Sequence, residues 1–124
     1  MFIRIIAGKY GGRKIDAPDS NRTHPMGERV RNAMFNSIAG EIVGARVLDA
    51  FAGTGSIGLE AISRGAKACT FVERDKIAQK ILAKNVVSLG AAEQSEIVRS
   101  SVNSWVESVG VEYYDIIFAD PPYH

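Results

Sequence analysis

The sequence predicts an α/β fold in which a parallel sheet follows a small N-terminal β-hairpin. Two observations carry this prediction. From Arg46 onward, short apolar segments alternate with helical segments, which is the pattern of βαβ units. Before that point, RIIAGKYGGRKID places short apolar stretches on either side of Gly11-Gly12, which indicates two antiparallel strands joined by a tight turn.

The first 24 residues are expected to form a basic arm and a linker. The hairpin presents Lys9, Arg13 and Lys14, and residues 16–24 are rich in Pro, Asp, Ser and Asn. Residues 1–31 carry seven cations and three anions (7 − 3 = +4), whereas the remainder carries eight and eleven (8 − 11 = −3). This distribution suits contact with a phosphate backbone, and a solvated terminus with chance charges remains equally open at this point.

A helix is predicted between residues 25 and 40. Pro25 suits its first turn and Gly40 its end. Apolar residues at the spacing i, i+3, i+4 and i+8 predict one buried stripe. That stripe is formed by Val30, Ala33, Met34 and Ile38.

Residues 25–124 are expected to form the main domain, with its strands in the order 3-2-1-4 across the sheet. In the helix predicted at residues 75–90, Asp75 caps the N-terminus, Ile77 and Ile81 share one face, and Gly90 closes the end. The predicted strands cover residues 46–51, 68–73, 95–100 and 114–119, and the helices cover 56–64, 75–90 and 102–109.

The last predicted strand contains the continuous apolar run Ile116, Ile117 and Phe118. Such runs are typical of strands that are covered on both faces and flanked on both sides. The order 3-2-1-4 would instead leave this strand at an open edge. We therefore expect either a chain truncated at its C-terminus or a partner covering the edge.

Composition excludes several classes of protein. Cys69 is the only cysteine and stands in an apolar stretch, so it is expected to be a buried thiol rather than a nucleophile or metal ligand. With two histidines in the chain, a metal site is not expected. Neither a membrane-spanning run nor a signal peptide is recognisable, which predicts a cytoplasmic protein.

The segment DAFAGTGSIG predicts a cofactor site. Gly53, Gly55 and Gly58 form G-x-G-x-x-G between a predicted strand and helix, where the backbone can approach a ligand closely. Glu73 ends the next strand, where its carboxylate can accept both ribose hydroxyls of an adenosine. The spacing fits either NAD or S-adenosyl-L-methionine.

The segment DPPY favours the second cofactor. Asp120 and the Pro121 carbonyl can accept hydrogen bonds from an exocyclic amino group and hold its nitrogen in line with a methyl sulfonium. Tyr123 offers a stacking face for the base, and the two prolines, Pro121 and Pro122, stiffen the loop. A base must leave its stack to reach such a pocket.

Taken in order, the motifs RIIAG, GRK, HPM-x-x-RVR-x-x-x-FN, DAFAGTGSIGLEAISRGA, ER and DPPY resemble the RsmD family of class I methyltransferases. The resemblance covers the whole chain and implies a Rossmann-like sheet and methylation of the guanine N2 amino group in 16S ribosomal RNA. Two departures stand out. His24-Pro25-Met26 replaces the usual Arg-Pro-Thr, and Ser101 occupies a place where Asp or Asn commonly meets the adenine.

The resemblance also implies roles for individual residues and partners. The catalytic loop would be Asp120, Pro121, Pro122 and Tyr123. S-adenosyl-L-methionine would be bound by Asp49, Ala50, Phe51, Gly53, Thr54, Gly55, Glu73, Arg74 and Ser101. Ribosomal RNA or the small-subunit particle would be contacted by Lys9, Arg13, Lys14 and Arg29, with the protein acting as a monomer and without a metal.

Three alternatives remain open from the sequence. A nucleotide-dependent dehydrogenase would explain the glycines and Glu73 but leaves DPPY and the basic hairpin without a task. An inactive fragment could keep cofactor or RNA binding without turnover. A DNA amino-methyltransferase also uses DPPY, although the basic hairpin favours RNA.

Overall fold

The computed structural model describes residues 1–18, 26–109 and 113–121. Over these ranges the chain forms an antiparallel hairpin and a four-stranded parallel sheet with helices on both faces. A short 3₁₀ turn, Ala92–Gln94, precedes the third strand of the parallel sheet. In chain order the elements are β1 (Phe2–Arg4), β2 (Lys14–Asp16), α1 (Glu28–Ser37), α2 (Ala39–Ile42), β3 (Arg46–Asp49), α3 (Ser56–Ser63), β4 (Ala68–Val72), α4 (Lys76–Leu89), β5 (Ser95–Val98), α5 (Val102–Val109) and β6 (Ile116–Phe118).

The parallel sheet has the order β5-β4-β3-β6, which confirms the predicted order 3-2-1-4. Successive side chains of β3 point to opposite faces. Val47 belongs to the larger core, which the hairpin, α1, α3 and α4 share. Leu48 belongs to a smaller core on the other face, where Trp105 of α5 packs. Trp105 therefore serves core packing.

The ends of α4 follow the predicted signals. The Asp75 carboxylate accepts the Ala78 N–H at 2.8 Å and caps the N-terminus. Gly90 follows the last turn with φ = +74°, a conformation that glycine adopts without steric cost. Both termini are thus specified by local sequence.

The prediction for the first helix is wrong in its end and only partly right in its buried face. Helix α1 ends at Ser37, and Gly40 lies inside the short helix α2. Met34 and Ile38 are half-buried and pack against the larger core as predicted, but the fully buried side chains of α1 are Arg31 and Phe35, and Val30 is 59% exposed. The apolar spacing missed Arg31 because its burial depends on a buried carboxylate elsewhere in the fold. Pro25 lies outside the described residues.

The apolar residues of α4 and β6 differ in how far they are buried. On α4, Ile77 is 50% exposed and Ile81 is half-buried, while Leu82 and Asn85 face the core. On β6, Ile117 is 46% exposed, and this strand pairs only with β3 among the described strands. An apolar run alone therefore did not specify coverage on both faces.

Glu60 of α3 ties the hairpin to the main domain. Its fully buried carboxylate accepts the N–H groups of Ile6 and Ala7 at 2.9 and 3.1 Å. It also accepts Nε of Arg64 at 2.8 Å and lies 3.7 Å from Nε of Arg31. The hairpin follows α3 further, since the Ser63 hydroxyl accepts the Tyr10 N–H at 2.9 Å.

Arg31 is a structural cation and not a solvated or RNA-facing residue. Its side chain is 1% exposed, and its guanidinium donates to the Arg4 carbonyl at 2.5 Å. Nε has no hydrogen-bond partner among the described residues, and the Glu60 carboxylate compensates its charge at ion-pair distance. Arg31 therefore connects α1 to both the hairpin and α3.

Replacing Glu60 with alanine should lower the free energy of unfolding by about 3–5 kcal/mol, because Arg31 would remain buried without its counter-charge. Urea unfolding followed by the fluorescence of Trp105, the single tryptophan, measures the change. Glu93→Ala is the matched control, since Glu93 is exposed and should change stability by less than about 0.5 kcal/mol. Equal stability of the two variants would contradict the assigned role.

Candidate active site

The turn between β3 and α3 is closed on one side and open on the other. Gly53 and Gly55 have φ values of +57° and +98°, which favour glycine. A Cβ atom on Gly55 would lie 2.6 Å from Cδ1 of Leu82, whereas one on Gly53 would meet no described atom within 4 Å. The turn thus packs against α4 and leaves its backbone accessible at Gly53.

The third glycine of the motif permits close packing of α3 on the sheet. A Cβ atom on Gly58 would lie 2.3 Å from Cε1 of Phe71 and 2.7 Å from Sγ of Cys69. Cys69 is 1% exposed, and burial raises the pKa of its thiol. The predicted burial of the Cys69 thiol is confirmed. Cys69 contributes to the packing beneath the turn.

Asp49 ends β3 and fixes the start of α3. Its carboxylate is buried and accepts the Gly58 N–H at 3.0 Å, which satisfies a donor in the first helical turn. Burial raises the pKa of Asp49 from 3.8 to about 7; the Gly58 hydrogen bond opposes this rise, and the charges of Glu73 and Asp120 add to it.

Glu73 bridges the loops that follow β3 and β4. One carboxylate oxygen accepts the Gly53 N–H at 2.7 Å, and the other accepts the Asp75 N–H at 2.8 Å. The side chain is half-buried. Because an ionised carboxylate has about four acceptor positions, these two bonds leave Glu73 able to accept hydroxyl groups of a ligand.

Asp120 and Pro121 reach the same edge of the sheet. Strand β6 pairs with β3 in parallel, with Phe118 opposite Asp49, and the Ala50 N–H donates to the Phe118 carbonyl at 2.9 Å. Asp120 is exposed and Pro121 is half-buried. Pro122 and Tyr123, the other predicted members of the catalytic loop, lie outside the described residues.

Three carboxylates therefore converge where the strands end. Asp49 and Asp120 follow adjacent parallel strands, and Glu73 follows β4 on the other side of β3. The charges of Glu73 and Asp120 act on Asp49 strongly enough to help raise its pKa. This edge is consequently electronegative and suits a ligand that carries positive charge and hydroxyl groups.

The other residues predicted to bind a cofactor occupy several environments. Ala50 is buried in the smaller core, and Phe51 is 36% exposed. Thr54 is buried, and its carbonyl accepts Nδ2 of Asn85 at 2.8 Å. Phe51 therefore has the accessible side chain, whereas Ala50 and Thr54 can contribute mainly through the backbone.

Arg74 and Ser101 stand at the margins of this edge. Arg74 is exposed directly after Glu73. The Ser101 hydroxyl accepts the Ser104 N–H at 3.2 Å and so caps α5, which is a common task of serine before a helix. Contact of Ser101 with an adenine stays a prediction.

The predicted RNA contacts lie on the surface. Lys9, Arg13, Lys14 and Arg29 are all exposed. Lys9 Nζ donates to Oε1 of Gln94 at 2.7 Å, and the Arg13 guanidinium donates to the Ser88 carbonyl at 2.7 Å. These bonds hold the hairpin cations against the second half of the domain.

Sequence reasoning missed Asn85, which joins the hairpin to the Gly-rich turn. Its side chain accepts the Asp16 N–H at 2.9 Å and donates to the carbonyls of Asp16 and Thr54 at 2.9 and 2.8 Å. The available signal was an amide among the apolar residues that repeat along the buried face of α4. A polar residue at a core position usually has hydrogen-bond partners.

Within residues 1–18, 26–109 and 113–121, no cluster of three or more His, Cys, Asp or Glu side chains is arranged to hold a metal ion. Over the same ranges, each helix is too short or too polar to cross a bilayer.

Solved structures identify the class of fold. The Escherichia coli protein described as "Putative methyltransferase yhhF" aligns with a TM-score of 0.88 and 41% identity over 99% of this chain and 65% of that chain. An RNA methyltransferase from Salinibacter ruber in complex with S-adenosyl-L-homocysteine aligns over 76% of this chain and 58% of that chain, with a TM-score of 0.64 and 17% identity, a likeness of fold. This is the Rossmann-like class I methyltransferase fold, as predicted.

The family follows from sequence. The family described as Conserved hypothetical protein 95 matches residues 3–124, and the chain belongs to it. Ribosomal RNA small subunit methyltransferase D of Escherichia coli is 42% identical over 121 residues, which are 98% of this chain and 60% of that protein. The resemblance to the RsmD family is thus confirmed, and the chain spans about 60% of this curated relative's length.

The raised pKa of Asp49 predicts a pH-dependent stability. Between about pH 4 and pH 7 the folded state holds a proton that the unfolded state has lost, so the free energy of unfolding falls as pH rises through this window. Asp49→Asn removes this ionisation. Relative to the parent, the variant should gain up to about 4 kcal/mol between pH 4 and pH 8.

Urea unfolding at several pH values measures this difference, with Glu93→Gln as the control for an exposed carboxylate. The control should follow the parent throughout. A constant difference between Asp49→Asn and the parent would show that Asp49 titrates normally.

Proposed function

We propose that this chain forms the S-adenosyl-L-methionine-binding core of a ribosomal RNA methyltransferase. Its reaction transfers a methyl group to the exocyclic N2 amino group of a guanine in 16S ribosomal RNA. The observation that carries the proposal is the convergence of the open Gly-rich turn, Glu73 and Asp120-Pro121 at one edge of the sheet. Family membership supports the same reaction.

The residues at this edge fit the proposed cofactor. Glu73 has free acceptor positions for the two ribose hydroxyls while it continues to hold the Gly53 N–H. The accessible backbone at Gly53 permits close approach. The charges of Glu73 and Asp120, which act together at this edge, complement the ammonium and sulfonium charges. When bound, S-adenosyl-L-methionine supplies an electrophilic methyl group.

Asp120 and Pro121 orient the accepting nitrogen. The Asp120 carboxylate accepts one amino hydrogen and the Pro121 carbonyl accepts the other, which directs the nitrogen lone pair toward the methyl group. Both acceptors stabilise the positive charge that develops on nitrogen, and the surplus proton then leaves to solvent. In this proposal Pro122 stiffens the loop, Tyr123 stacks on the unstacked guanine, and no covalent enzyme intermediate forms.

The remaining parts of the proposal concern partners and organisation. Residues 1–24 contact ribosomal RNA or the small-subunit particle through Lys9, Arg13 and Lys14, aided by Arg29. Residues 25–124 bind the cofactor, and within this range Arg74 and Ser101 contribute at the margin of the site. The protein acts as a cytoplasmic monomer.

Cofactor class is tested by calorimetric titration of the purified chain with S-adenosyl-L-homocysteine and, separately, with NAD. We expect saturable binding of the first ligand only. Glu73→Ala should weaken it roughly tenfold or more, because hydrogen bonds to a charged acceptor are lost. Glu73→Gln, which retains one acceptor oxygen, should fall between, and Glu93→Ala should bind normally. Binding of NAD alone, or of neither ligand, would refute the proposal for this chain.

Asp120 is tested by the transfer of a radiolabelled methyl group to 16S ribosomal RNA and to small-subunit particles. Asp120→Ala should lower kcat by about 10²- to 10³-fold. Affinity for S-adenosyl-L-homocysteine should stay close to that of the parent, since the carboxylate acts on the amino group. Unchanged turnover would remove Asp120 from the mechanism.

A further inference from the structure

The hairpin has an outer face that combines an exposed aromatic ring with cations. Strands β1 and β2 pair Phe2 with Asp16 and Arg4 with Lys14, so these four side chains share one face. Ile15, on the opposite face, is buried in the core, whereas Phe2 is 65% exposed. Lys14 Nζ lies 5.9 Å from the centre of the Phe2 ring.

Helix α4 presents a row of lysines to solvent. Lys76, Lys80 and Lys84 recur every four residues, which places them about 6 Å apart along the helix axis. All three are exposed, and the fourteen residues of α4 contain no acidic residue. Like charges at this spacing repel each other, so the row favours an anionic partner.

The lysine row and the hairpin face form one continuous surface. Lys84 Nζ lies 2.6 Å from the carboxylate of Asp16, which stands opposite Phe2 across the hairpin. Among the described residues, Lys14, Lys76 and Lys80 form no ion pair. At its other end the row begins three residues after Glu73, beside the candidate active site.

We propose that this surface binds a single-stranded segment of RNA, in which Phe2 stacks on a base and Lys14, Lys80 and Lys76 contact successive phosphates. The inference rests on the proposed function and names the surface that holds the strand next to the target nucleotide. An exposed aromatic ring recognises the face of an unpaired base, and lysines without carboxylate partners complement phosphates. The row then leads the strand toward Asp120.

The proposal assigns a purpose to features that folding does not explain. Phe2 contributes little to the core because most of its surface is exposed. Lys76 and Lys80 stabilise no described carboxylate. A duplex would not offer a base to Phe2, because its bases are stacked on each other, so single-stranded RNA fits the surface better than double-stranded RNA.

Binding is tested by fluorescence anisotropy with a fluorescein-labelled, mixed-sequence single-stranded RNA of about 12 nucleotides, a length suited to one basic groove. Phe2→Ala should weaken binding of this RNA about fivefold or more. Phe2→Trp should bind it about as tightly as the parent, because stacking requires an aromatic ring. Lys80→Gln should reduce the slope of log affinity against log salt by about 0.7. Lys67→Gln is the matched control, because Lys67 is an exposed lysine just before β4 that the proposal does not assign to the RNA.

Each variant is also titrated with S-adenosyl-L-homocysteine, and affinity equal to that of the parent shows an intact fold. RNA binding by Phe2→Ala and Lys80→Gln as tight as that of Lys67→Gln would overturn the inference. The inference would also be overturned if the parent bound an RNA duplex, or vesicles containing phosphatidylglycerol, more tightly than the single-stranded RNA. Failure of the parent to bind any of these three probes would overturn it as well. Failure of the parent to bind S-adenosyl-L-homocysteine would instead count against the proposed function, whatever the RNA result.

Discussion

The buried carboxylate of Glu60 is the contact on which the arrangement of the N-terminal third depends. A buried charge is tolerated when it is paired and hydrogen-bonded, and Glu60 meets this condition only when the hairpin, α1 and α3 are all in place. The hairpin therefore docks as part of the core, with Ile5 and Ile15 fully covered. Polar complementarity fixes the orientation, and apolar burial supplies the area.

Asn85 extends this arrangement to the candidate active site. One side-chain amide holds β2 and the Thr54 carbonyl of the Gly-rich turn. In the proposed function, β2 belongs to the RNA-binding arm and Thr54 to the cofactor site. The same buried amide therefore connects the two segments that the proposed function assigns to RNA and to the cofactor.

The sequence predicted those parts of the fold that local signals specify. Sheet order, the Asp75 cap and the turn at Gly53 and Gly55 follow from periodicity, capping and glycine conformation. Contacts across the chain were not predictable in this way. The burial of Arg31 requires a carboxylate 29 residues away on another helix.

The candidate site was predicted in the same uneven manner. Motifs identified Asp49, Glu73 and Asp120 as acidic residues after strands, and parallel pairing brings them to one edge. Their mutual charges and the rise in the pKa of Asp49 depend on distances that no motif encodes. The second role of Glu73, as acceptor of two backbone N–H groups, likewise follows from loop geometry.

The close packing of Gly58 against Cys69 makes the reactivity of this thiol a probe of local opening in the domain. The sulfur is buried beneath α3, so a thiol-modifying reagent reaches it only when the packing around it opens. Since this is the chain's sole cysteine, its labelling rate reports how often the packing between α3 and β4, next to the Gly-rich turn, opens. Any ligand that clamps the turn would slow that rate without touching the sulfur.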